Sequence, residues 1–233
     1  MDVVAELDQT RAALSVLEHP FYKRWSAGEL SAAELECYAG EYRHAVVALA
    51  AASTRAAAKA GPAHASGLSA HAEEETAHVA LWDDFARASG ARASGARETV
   101  DPADGGVDPA DGGVALDETR ACAEAWTAGE DLLEHLAVLY AIEASQPEVS
   151  KTKLEGLTEH YGYSAEGPAL EYFRVHELRD VEHARAAGEL IEELLDGSDD
   201  AEAQAGRMIA RAEAALRGNW ELLSGVEAAG TAA

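Results

Sequence analysis

Apolar residues recur at spacings of three and four along almost the whole chain, and no stretch alternates apolar and polar residues with the β-branched content of a strand. A chain patterned this way folds as all-α. Spacing, caps and breakers predict helices over 2–18, 20–28, 31–59, 62–88, 116–127, 130–146, 149–161, 167–195 and 199–228. Ser31-Ala-Ala-Glu34 has the form of a capping box, His19-Pro20 reads as a helix start, and Gly197-Ser198 marks the last turn. With 233 residues one core is enough, so a single helical domain over 1–228 is expected. One segment breaks the pattern: from Ala88 to Val114, ASGAR and VDPADGG each occur twice in tandem. The segment 89–114 is expected to be a Gly/Pro/Asp-rich inserted loop; it lacks the glutamate and spacing of an EF-hand calcium loop.

The chain carries 43 acidic against 18 basic residues, a formal charge of -25. Such a surface repels nucleic acid and anionic membranes, which leaves small molecules, metal cations or a second copy of the chain as partners. Hydrophobic residues make up 48% of the sequence, so the charge coats a folded body rather than a disordered tail. The 14 arginines and only four lysines fit a halophilic proteome, where high ionic strength screens self-repulsion. Two cysteines, Cys37 and Cys122, make no disulfide framework and suit a reducing compartment. The acidic start is unlike a signal peptide, and the longest wholly apolar run, residues 45–52, is too short to span a bilayer. The expected location is cytoplasmic.

Three helical segments carry groups able to do chemistry. In FRVHELRDVEHARAAGEL, His176, Asp180 and His183 project at about 0°, 40° and -20° around the helix, one narrow face that a metal ion can meet. In HAEEETAHVALW, Glu75-x-x-His78 has the spacing of carboxylate-bridged metal sites in helical bundles, and Glu74 is almost as well placed. Glu143 stands in an otherwise apolar run, where a carboxylate needs a metal, an arginine or a histidine as partner. Glu74 or Glu75, His78, Glu143, His176, Asp180 and His183 offer three imidazoles and three carboxylates, a mixture suited to two iron ions or iron with manganese rather than structural zinc. The lysines raise a separate question. Two of the four, Lys151 and Lys153, stand together in QPEVSKTKLEGL, either as surface partners of Glu148 and Glu155 or as an amine held for chemistry.

HPFY, the EEE helix ending in LW, YAIEASQPEVSKTKLEGL with YGY, and His-x-x-x-Asp-x-x-His together resemble the haem-oxygenase-like dimetal oxygenases, above all their CADD-like branch, over roughly residues 15–195. HPFY and the acidic LW helix recur in the wider TenA- and PqqC-like group. The resemblance implies a haem-oxygenase-like bundle of about seven core helices, a Fe/Fe or Fe/Mn centre with dioxygen as co-substrate and an external reductant, and a homodimer. It further implies 4-aminobenzoate synthesis for folate, with the ring supplied by the protein's own tyrosine and the nitrogen by its own lysine. By position these are Tyr22 and Lys153, and Tyr172 falls at another tyrosine of the pattern. The resemblance places a first carboxylate seven residues before His78, where this chain has His71; either the helix is shortened there and Glu74 or Glu75 serves, or the ligand changes. Oxidation of an external small substrate by the same centre, and a metal-free TenA-like hydrolase or PqqC-like oxidase, are the alternative readings.

Overall fold

Local signals set where several helices of the computed structural model begin and end; it describes residues 2–91, 115–196, 198 and 200–231. Asp2 caps α1 (Val3–Ala13) by accepting from the Ala5 amide. The helix expected over 2–18 breaks at Leu14, and a single 3-10 turn, Val16–Glu18, follows. His19 then caps α2 (Pro20–Ala27), its ring accepting from the Phe21 amide with Pro20 at the first position, as the His-Pro pair predicts. α2 stops at Gly28, whose φ of 71° is left-handed. The capping box at Ser31 and Glu34 is formed in both directions and opens α3 (Ala32–Lys59). α4 (Ala65–Ala88) returns along α3.

Residues 92–114, which hold most of the expected insert, lie outside the described residues, as do Gly197 and Asp199. The chain resumes with α5 (Asp117–Thr127) and α6 (Leu132–Glu143), the latter capped by Asp131. The helices expected over 130–146 and 149–161 meet earlier than periodicity suggests. α6 ends at Glu143 and α7 (Gln146–Glu159) starts at once, because Pro147 fits a first turn and cannot continue a preceding helix. A 3-10 turn, Pro168–Leu170, leads into α8 (Glu171–Leu195), and α9 (Ala201–Thr231) completes the described chain.

α6 is the axial rod: every residue from Leu133 to Glu143 is buried, with α8, α9 and α3 packed around it. Three tryptophans lock the surrounding helices by donating to backbone carbonyls across helix pairs, Trp25 to Lys153, Trp82 to Ala39 and Trp126 to Ala215. Among the described residues no helix is long and apolar enough to cross a membrane, and no strand occurs.

Candidate metal centre and the buried lysine

α4, α6 and α8 each turn ionisable side chains into one interior region. Glu75, His78, Glu143, His176 and Asp180 are all buried, Glu143, His176 and Asp180 completely. Glu75 is at the middle. Its Oε1 lies 3.1 Å from His78 Nδ1, 3.8 Å from His71 Nε2 and 4.0 Å from His183 Nδ1, and its Oε2 lies 3.9 Å from His176 Nε2. His183 Nδ1 is also 3.5 Å from Asp180 Oδ1. His71, Glu75 and His183 form one group with donor atoms within 4.8 Å of one another, and Glu75, His78 and His176 form a second.

The helices also fix ring orientation. His176 Nδ1 donates to the carbonyl of Tyr172 one turn earlier at 2.7 Å, which turns Nε2 towards the cluster. Burial opposes ionisation throughout and raises the Glu143 and Asp180 carboxyls above the usual range. Burial acts on Glu75 too, but the His176 and His78 rings outweigh it and hold that carboxyl well below its ordinary value.

A metal ion fits this donor set, and the reason is what the protein leaves undone. Both oxygens of Glu143, both of Asp180, His71 Nε2, His176 Nε2 and His183 Nδ1 are buried without a hydrogen-bond partner among the described residues. Each such orphan costs about 1–3 kcal/mol, more for a charged group, unless something in the interior satisfies it. Imidazole nitrogens with carboxylate oxygens and no thiolate are a donor set that suits iron.

The sequence-predicted residues do not all converge. Glu74 stays at the solvent side, 40% exposed, with Oε2 3.4 Å from His183 Nε2 and 3.6 Å from Arg179. His71, one turn before Glu75, stands inside the cluster instead, 3.0 Å from Glu143 Oε1 though without hydrogen-bond geometry.

Lys153 is fully buried, and its Nζ has no hydrogen-bond partner among the described residues. Five aromatic rings surround it: Tyr42 at 4.7 Å, Phe173 at 5.3 Å, Tyr22 and Tyr38 at 5.6 Å and Trp82 at 5.7 Å from Nζ to ring centre. Burial depresses its pKa to about 7. Lys151 is exposed. The Tyr22 and Tyr38 hydroxyls share a hydrogen bond of 3.0 Å, and burial keeps both phenols protonated. Tyr172 joins the two regions, stacked on His176 at 4.0 Å and edge-on to Trp82 at 4.9 Å. Sequence reasoning missed the ring enclosure; the one signal for it was Tyr38 and Tyr42, four apart and hence on one helix face. Burial pushes the Cys122 thiol far up, and burial with neighbouring Glu41 and Glu36 raises Cys37, so neither is an activated thiolate.

The fold has known counterparts. A TenA homologue from Pseudomonas syringae superposes with a TM-score of 0.74 at 15% identity, covering 97% of this chain and 91% of that one. A haem-oxygenase-like domain of unknown function from Shewanella denitrificans gives 0.71 at 15% identity over 97% and 90%. In sequence, a 4-aminobenzoate synthase of Chlamydia muridarum is 30% identical across 90% of this chain and 86% of that protein. One from Nitrosomonas europaea is 28% identical across 95% and 89%. The profile of the iron-containing redox enzymes matches residues 26–217. With that match over most of its length, a haem-oxygenase-like bundle and an interior set of imidazoles and carboxylates, this chain belongs to the iron-containing redox enzyme family.

Proposed function

We propose that this protein is a dioxygen-dependent dimetal oxygenase that makes 4-aminobenzoate from its own side chains, Tyr22 supplying the ring and Lys153 the nitrogen. The observation that carries this reading is the unpartnered amine of Lys153, walled in by Tyr22, Tyr38, Tyr42, Trp82 and Phe173. Stability alone does not account for an amine there, since burial penalises its charge and no hydrogen-bond acceptor among the described residues offsets that penalty. Placed there as a reactant it gains a neutral lone pair near neutral pH, which arginine cannot offer. The names of the relatives from Chlamydia muridarum and Nitrosomonas europaea support the same reaction.

His78, His176, Asp180, His183, Glu75 and Glu143 would hold two ions, either Fe/Fe or Fe/Mn; bound there, they would activate dioxygen with electrons from an external reductant. The protein's own residues do the rest. Tyr172, stacked on His176 and touching Trp82, which in turn contacts Tyr38 and Tyr42, forms a continuous run of rings from the centre to the lysine. Tyr38 fixes the orientation of the Tyr22 hydroxyl by a hydrogen bond. The enclosing rings exclude water from the amine.

Protein made with 15N-lysine, loaded with iron and given dioxygen and a reductant should release 15N-labelled 4-aminobenzoate once per chain and lose mass at Tyr22 and Lys153. Tyr22→Phe and Lys153→Arg should each abolish the product and fail to complement a strain lacking this compound. Repeated turnover with both side chains intact would point instead to an external substrate.

A further inference from the structure

The donor atoms around Glu75 form two histidine pairs, and one pair includes a residue that the proposed function leaves unused. His78 and His176 belong to one three-residue group with Glu75, His71 and His183 to the other. His71 precedes Glu75 by one helical turn, so α4 itself places the ring on the inward face. Its Nε2 is buried, 3.0 Å from Glu143 Oε1 and 3.8 Å from Glu75 Oε1, and its ring centre lies 4.3 Å from that of His183.

A protonated His71 paired to Glu143 is the simpler account of this contact, and it leaves too much unmade. The contact lacks hydrogen-bond geometry, both Glu143 oxygens remain without a donor, and His183 Nδ1 converges on the same space equally unpartnered. A cation about 2 Å from each donor satisfies nitrogens and oxygens that lie within about 4 Å of one another. The distances from Glu75 Oε1 to His71 Nε2 and His183 Nδ1, 3.8 and 4.0 Å, are of that size.

We infer that His71 is a metal ligand of this centre, giving each of the two ions a pair of imidazoles, with Glu75 between them. The inference rests on the dimetal reading above and goes beyond it by assigning this residue and its effect on metal choice. Four imidazoles with three carboxylates make the donor set nitrogen-rich, and imidazole favours iron where carboxylate favours manganese. His71 therefore biases the His71/His183 side towards iron.

Metal-free wild type, His71→Ala and His71→Glu proteins, loaded anaerobically from an equal mixture of Fe(II) and Mn(II), provide the test, with bound metal per folded chain and the melting temperature of the loaded form as readouts. Wild type should bind two ions with iron in excess. His71→Ala should bind one of them at least about tenfold more weakly, the loss typical when support for a metal ligand is removed. His71→Glu should recover the second ion with a higher manganese share, a rescue that a purely structural ring would not allow. Two ions held by His71→Ala with unchanged affinity and iron preference would overturn the inference and leave the dimetal reading standing. Wild type that takes up no metal would overturn both.

Discussion

Lys153 illustrates how a single residue can set stability against chemistry. Its pKa falls from 10.5 to about 7 because the folded protein buries it away from water. Between these values folding must strip a proton that the unfolded chain keeps, so this residue's contribution to stability rises with pH from about 7 to 10.5 and is level below 7. At neutral pH the cost is several kcal/mol, at 1.36 kcal/mol per pKa unit. Lys153→Met, close in volume and without charge, should therefore raise the melting temperature at pH 7 by several degrees and narrow the gain towards pH 10, while abolishing product. Melting curves at pH 7 and pH 9.5 decide this; equal gains at both would mean that the amine is not desolvated as the geometry shows. The same residue marks a limit of sequence reading. Glu148, Lys151 and Glu155 make α7 look like a solvated face, and only the packing of that helix against α2 and α8 reveals that Lys151 is outside and Lys153 inside. Glu143 was easier, because a lone acid in an apolar run demands a partner wherever it ends up. Along α4 the carboxylate could not be chosen from periodicity. Glu74 and Glu75 lie about 50° to either side of the mean direction of His71 and His78, and the placement of α8 decides between them.

Helix-to-helix approach places the lysine as much as its own sequence does. α7 comes so close to α2 that a Cβ added at Gly156 would sit 2.6 Å from the Trp25 ring and 3.3 Å from its carbonyl oxygen. Trp25 in turn donates to the Lys153 carbonyl and rests edge-on against Tyr38, so the glycine, the tryptophan and the cage are one packed unit. Gly156→Ala favours helix formation by about 1 kcal/mol, yet the contact forces the ring or the helix to move, at a cost of about 1–3 kcal/mol. A net loss of stability is expected, together with a larger loss of product per chain, as Lys153 shifts relative to Tyr22. Thermal unfolding alongside product yield checks it, and an alanine variant of unchanged yield would show that the cage does not depend on this approach. Existence and order of the helices were legible because the apolar period is nearly unbroken. Their joints were not legible from the period alone, since α1 breaks at Leu14 inside a continuing apolar pattern and the tight turn between Glu143 and Gln146 is set by Pro147 rather than by any lapse in that pattern.

Across the whole molecule the dominant electrostatic fact is a charge of -25 on 233 residues. Many basic groups are already engaged by acids: Arg43 meets Asp83, Arg185 bridges Glu182 and Glu189, and Arg207 and Arg211 both serve the buried carboxylate of Glu134. Salt weakens the pairs that are exposed, such as those of Arg185, but each of these contributes only about 0–1 kcal/mol. It also screens the excess of acids, which repel one another over the entire surface, and raising ionic strength from 0.1 M to 1 M cuts the screening length from about 10 Å to about 3 Å. With 43 acids to 18 bases most acidic groups have no cation to lose, so relief of repulsion outweighs loss of pairing. The melting temperature should climb steadily between 0.1 M and 2 M KCl, and most of the climb should come below 1 M, where the screening length changes most. Sulfate at equal ionic strength adds stabilisation by exclusion from the surface, which separates screening from salting-out. A melting temperature that falls with KCl would mean that the arginine pairs, not the uncompensated acids, govern this surface.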